Sequence, residues 1–142
     1  MKYRQTYESI EDKARERQFA AVLSRVWGRK LRPLPKNYVL DYGISRAGRL
    51  TAFLEIKVRT FQSTKYASTI VNLDKWIAAR EIAQTTGMSC ILAVRFTDAD
   101  FYYTELGTGD GVSFAFGGRH DRGDWQDMGV AVYIPMKFFK RL

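Results

Sequence analysis

Three ionisable side chains stand inside a stretch that otherwise has the pattern of a β-hairpin core. Residues 38–60, YVLDYGISRAGRLTAFLEIKVRT, hold two apolar runs around a Gly-containing turn, with Asp41 in the first run and Glu55 and Lys57 in the second. The two-residue period of a strand sets Glu55 and Lys57 side by side on one face, while Leu54, Ile56 and Val58 fill the other. The same Glu-x-Lys spacing recurs at Glu11 and Lys13, but in a helical pattern, where residues two apart point about 200° away from each other and cannot share a ligand. Asp41 joins the first pair if it lies opposite Glu55, a register centred on Gly48, which accepts the positive φ of a tight turn. Opposed residues share a face, with β-carbons about 4.5–5.5 Å apart. Two carboxylates that close repel unless something positive lies between them. A hard divalent cation with oxygen ligands meets that need, and Lys57 beside it is poised to contact a phosphate or a water.

Glu16 is a candidate fourth group. It shares a helical face with Phe19, Leu23 and Trp27, at steps of three, seven and eleven residues. An acid on the inner stripe of a helix suits a site; an ion pair with one of the neighbouring arginines at the edge of the stripe accounts for it equally.

The elements that must position these groups follow from periodicity and breakers. A helix is expected from about Glu8 to Trp27, with Phe19, Val22, Leu23, Val26 and Trp27 at three- and four-residue steps and Gly28 as its stop. A proline-broken connection, RKLRPLPKN, leads to a strand over Tyr38 to Ile44, the turn SRAG, a strand over Leu50 to Arg59 and the loop TFQSTKYAS. A second amphipathic helix runs from Asn72 or Asp74, either of which could cap it, to Thr86, with Gly87 ending it. Strands are then expected at Ser89 to Phe96, Phe101 to Leu106, near Val112 to Phe116 and at Val130 to Ile134. This order predicts an α/β fold with a central mixed β-sheet and the two long helices packed against it.

The bulk numbers agree with a single domain over residues 1–142, without linker, low-complexity tract or repeat. The net charge of +8 makes nucleic acid a candidate partner, with a solvated basic surface as the alternative: Met1 to Lys36 alone carries ten Lys and Arg against four acids. A charged N-terminus and apolar runs shorter than ten residues lead us to expect neither a signal peptide nor a membrane span, hence no membrane partner and a cytoplasmic location. Other features point away from alternative chemistries. Cys90 lies in an apolar run and is expected in the core; His120 is the sole histidine, too few for a His-metal site; GTGDG matches neither a P-loop nor a dinucleotide fingerprint; Asp121, Asp124 and Asp127 lack the EF-hand pattern. Phe114, Phe116, Tyr133, Phe138 and Phe139 are expected in the core or in a subunit contact.

Taken in order, Glu16 on a first helix, Asp41 on the next strand, Glu55-Ile56-Lys57 on its hairpin partner, then a helix and the apolar strand SCILAVRF resemble the PD-(D/E)xK nuclease superfamily. The likeness is to compact archaeal-type Holliday junction resolvases and small phage endonucleases, and it spans about Glu16 to Phe96. The residue before Asp41 is Leu40, so the Pro-Asp dipeptide of the motif is missing. The resemblance implies a restriction-endonuclease-like core and metal-dependent hydrolysis of DNA phosphodiesters, on branched or otherwise structured DNA, leaving a 5′-phosphate and a 3′-hydroxyl.

By the same resemblance, Asp41, Glu55 and the carbonyl of Ile56 would hold Mg²⁺ or Mn²⁺. Lys57 would orient water and stabilise the transition state, and Glu16 would hold a second metal or its water shell. Lys75 would either face the site or lie in solvent, while Arg59, Thr64, Lys65 and Tyr66 would grip the DNA backbone. Resolvase-like relatives cut two strands with paired sites, which implies a homodimer, and a phage origin would place the protein in the host cytoplasm. Two other readings fit the residues: a DNA-binding module without catalysis, and an accessory subunit of a recombination or packaging complex.

Overall fold

The computed structural model describes residues 10–98, 101–109, 111–118 and 128–142. It begins with α1 (Ile10–Trp27), which buries Phe19, Ala20 and Leu23 and stops at Gly28, whose φ of 61° a side-chain-free residue adopts readily. Then come β1 (Lys30–Pro33), β2 (Tyr42–Arg46), β3 (Arg49–Val58), β4 (Ser68–Asn72) and α2 (Leu73–Thr86). The chain continues through β5 (Ser89–Arg95), β6 (Phe101–Leu106), β7 (Ser113–Gly118), β8 (Met128–Pro135), a 3₁₀ turn (Met136–Phe138) and β9 (Lys140–Arg141).

A six-stranded sheet in the order β1-β2-β3-β5-β6-β9 forms the centre, with β3 and β5 parallel and the other neighbours antiparallel. Alternation along β3 divides its side chains between two cores. Leu54 and Ile56 meet Phe19, Ala20 and Leu23 of α1, together with Tyr42, Ile44 and Ala93. On the opposite face, Cys90, Leu92 and Val94 of β5 meet Trp76 and Ala79 of α2. A central mixed sheet flanked by helices, as expected, is what the chain builds.

Four local expectations are corrected. A second, three-stranded sheet (β4-β8-β7) packs beside α2, with Val71, Val132 and Ile134 entering the core against β5. Its first strand comes from SerThrIleValAsn, where no strand was expected before the helix. The proline-broken connection contains β1, which pairs with β2 and ends at Pro33, a residue tolerated where the ladder needs no further N–H. The segment expected to begin a strand at Tyr38 instead turns, with Tyr38 N–H donating to Pro35 O (2.9 Å), and regular pairing starts at Tyr42. Asn72 occupies the N-cap position of α2 without a side-chain capping bond, while Gly87 ends that helix at φ 74°, its N–H donating to Ala83 O.

Cys90 and Phe139 are buried, whereas Phe114 and Phe116 are 53% and 72% exposed. Among the described residues no helix is long and apolar enough to cross a membrane. Glu8, Asp110, His120, Asp121, Asp124 and Asp127 lie outside the described residues.

Candidate active site

The β2–β3 hairpin decides where the acids sit. Tyr42 pairs with Leu54, Gly43 with Phe53 and Ile44 with Ala52, so one step before Tyr42 sets Asp41 against Glu55. The backbone of β3 grips Asp41 on both sides of that position: Asp41 N–H donates to Leu54 O (3.1 Å), and Ile56 N–H donates to Asp41 Oδ2 (2.8 Å). Leu34 N–H donating to Asp41 O (2.9 Å) anchors it from the β1 side. Towards the tip the register shifts by one, because Thr51 is an extra residue whose hydroxyl donates to Ile44 O (3.0 Å). The turn is therefore the pair Ala47-Gly48, both at positive φ (52° and 78°), between Arg46 and Arg49.

Glu55 is 2% exposed. Lys57 Nζ lies 3.9 Å from Oε1, and Lys75 Nζ lies 3.1 Å from Oε2 while donating to Val39 O. Lys75 Nζ is thus the charge partner of Oε2, shared between that oxygen and the Val39 carbonyl. Burial pushes the Glu55 carboxyl up to about 7; Lys57 opposes the rise, the Asp41 charge adds to it and Lys75 again opposes it. A buried carboxylate next to a second carboxylate is costly in a protein alone. It is also what a hard cation requires. Among the described residues no group of three His, Cys, Asp or Glu could hold a metal. Two carboxylates, Asp41 and Glu55, would thus be the side chains available to a cation, which suits Mg²⁺, since that ion keeps several waters and takes one or two carboxylates plus phosphate oxygens.

The other predicted residues are distributed as follows. Glu16 is half-buried on α1, the helix that covers the Leu54 and Ile56 face of β3, opposite to Glu55, and it does not gather with Asp41 and Glu55 into a three-acid cluster. Lys75, for which site and solvent were both open, turns to the site. A lysine in a helix's first turn opposes the macrodipole, and its ties to Glu55 and Val39 O supply the compensation. Arg59 is half-buried and donates through Nη2 to Ile70 O (2.8 Å), fastening the end of β3 to β4; burial lowers its pKa from the usual arginine value. Lys65 and Tyr66 are exposed on the loop leaving β3. There Tyr66 stands edge-on to Phe61 (5.0 Å between centroids), and Lys65 Nζ lies 5.4 Å from the Tyr66 ring.

Sequence reasoning missed the residue that fixes this loop. Ser63 is buried, and its N–H and hydroxyl both donate to Asp98 Oδ2 (3.3 and 2.8 Å). Nothing local marks that bond, because the partners are 35 positions apart. It missed the Val39 carbonyl for the same reason, since Lys75 reaches it only once α2 has docked.

Comparison with known proteins gives three findings. No curated protein matches the sequence. Among solved structures, Hjc of Archaeoglobus fulgidus, a Holliday junction resolvase from an archaeal hyperthermophile, is similar at 14% identity and a TM-score of 0.48, over 65% of this chain and 75% of that one. Residues 2–142 match the family described as "Phage putative PDDEXK endonuclease". Since that match takes in all but the first residue, including the hairpin that sets Asp41 against Glu55, the chain belongs to this phage PDDEXK endonuclease family.

Proposed function

We propose that the protein is a Mg²⁺- or Mn²⁺-dependent DNA endonuclease that hydrolyses phosphodiester bonds, with branched or structured DNA as its substrate class. The observation that carries this reading is Glu55: a buried carboxylate set opposite a second carboxylate, Asp41, and flanked by two lysines.

Asp41, Glu55 and the Ile56 carbonyl would hold the cation. When bound, it polarises the phosphate and acidifies a water. Asp41 is held in place by the Ile56 N–H, which leaves Oδ1 for a ligand. Lys57, half-exposed beside Glu55, orients the attacking water and offsets the charge that builds on the phosphate in the transition state. Lys75 fixes the Glu55 carboxylate from the other side. Glu16, on the helix against the other face of β3, is left without a role at the cation. Arg59, Lys65 and Tyr66 border the exit of β3, where they meet DNA phosphates. The chain works as a single domain and as a homodimer that pairs the exposed Phe114 and Phe116 of β7 across a two-fold axis, in the cytoplasm of the host.

The test is cleavage of supercoiled plasmid, linear duplex, single strand and a four-way junction in Mg²⁺, Mn²⁺ or EDTA, with Asp41→Asn and Lys57→Ala in parallel. Metal-dependent cutting lost by about 100-fold or more in both variants is expected, given that even outer-sphere substitutions cost about 10–100-fold. Equal DNA binding by all three proteins with no cutting by any would assign the fold to DNA binding alone.

A further inference from the structure

Beyond Asp41, a groove runs along the sheet on the face that carries Glu55. Gly43 pairs with Arg32 on one side and Phe53 on the other, and Ser45 pairs with Lys30 and Leu50. Opposed residues share a face and alternate residues of a strand return to it, so Lys30 and Arg32 lie on the same side as Asp41 and Glu55. The extra residue Thr51 turns Leu50 to that side as well. Leu50 and Leu34 approach over Gly43, where a Cβ would come within 2.9 Å of Leu50 Cδ1. The result is a groove of about 560 Å³ bounded by Lys30, Arg32, Leu34, Gly43, Ser45 and Leu50.

Two properties identify what it would take. Lys30 and Arg32 are exposed, and among the described residues neither forms an ion pair. The groove also lies on the same face as the two carboxylates, with Gly43 two residues along the chain from Asp41. The four steps from Asp41 to Ser45 cover about 13 Å, the axial rise of about four phosphates of one B-form strand.

We propose that this groove holds the sugar–phosphate backbone of the DNA strand next to the scissile phosphate, with Lys30 and Arg32 each on one phosphate and Gly43 giving the strand room. The proposal rests on the nuclease reading for its substrate, and the experiment separates the two.

Binding of a short duplex and of a four-way junction is measured in EDTA, by fluorescence anisotropy, across about 50–200 mM salt. The proteins are the wild type, Lys30→Gln/Arg32→Gln, and Lys13→Gln/Arg17→Gln, which removes the same charge from the exposed side of α1. Losing two phosphate contacts should make the slope of log K against log salt shallower by about 1.8, in the groove variant only. In Mg²⁺ that variant should show a raised KM with kcat within about twofold of wild type. Equal changes in both double variants would mean diffuse charge and overturn the proposal. So would unchanged binding together with aggregation of the groove variant, for then Lys30 and Arg32 merely guard an open sheet edge. A wild type that never cuts but shows the groove-dependent slope removes the nuclease reading and keeps the groove. A wild type that cuts, beside a groove variant of unchanged slope, removes the groove alone.

Discussion

Glu55→Gln in metal-free buffer should stabilise this protein at alkaline pH and leave it unchanged in acid. The wild-type carboxyl, pushed from 4.5 to about 7 chiefly by burial, takes up its proton more readily in the folded than in the unfolded chain. Its contribution to stability is therefore fully present below pH 4.5 and is lost as pH rises to about 7. At about 1.4 kcal/mol per pH unit, the loss over that range is about 3.5 kcal/mol. Glutamine is neutral throughout and escapes that loss, although it forgoes the attraction of Lys57 and Lys75. Urea denaturation in EDTA at pH 8 should place the variant about 1–3 kcal/mol above wild type, with the gap closing to within about 0.5 kcal/mol at pH 4.5. Saturating Mg²⁺ at pH 8 should then raise wild type by about 2.7 kcal/mol at one hundred times Kd and leave the variant unmoved. A variant less stable than wild type at pH 8, or a gap of the same size at both pH values, would refute the reasoning, because the lysines would then fully offset the cost of burying the charge.

Other perturbations test the remaining parts. Lys75→Met removes the cation beside Glu55 Oε2 and the donor to Val39 O; it should cost about 2 kcal/mol at pH 8 in EDTA and move the Glu55 titration upward, read from the pH dependence of urea midpoints. Glu16→Gln should lower the cleavage rate by less than about 10-fold, far less than Asp41→Asn does, since it lies on the helix that covers the opposite face of β3. Gly107→Ala places a Cβ 2.6 Å from the Arg80 backbone nitrogen at φ 84°; thermal melts should show a loss of more than about 2 kcal/mol as α2 is pushed off β6.

How much of this was legible in the sequence depended on how local the controlling contacts are. The Asp41 to Glu55 register followed from counting about Gly48, and it holds from Tyr42 to Ile44. The count survives because the single extra residue Thr51 makes up for a turn centred between Ala47 and Gly48. Both long helices and their glycine stops were readable from apolar spacing. By contrast, β4 has only five residues and finds its partner in β8, Ser68 against Pro135, so nothing nearby marks it as a strand. The edge strand β1 was hidden by Pro33 and Pro35, which signal a break more strongly than four residues signal a strand. Lys75 stayed undecided because only the docking of α2 brings it to Glu55.

The parallel pairing of β3 with β5 has a kinetic consequence. Asp41 and Glu55 meet through one hairpin, a short closure that forms on the scale of about microseconds. Lys75 arrives only after the chain has crossed over through β4 and α2 to lay β5 beside β3, a longer closure with a larger entropic cost. The two acids thus come together with Lys57 beside them but before the second counter-charge, Lys75. Substitutions at Lys75 will accordingly speed unfolding and leave the folding rate little changed, whereas a cation present during refolding will act on the folding arm, by relieving the repulsion in the nascent hairpin.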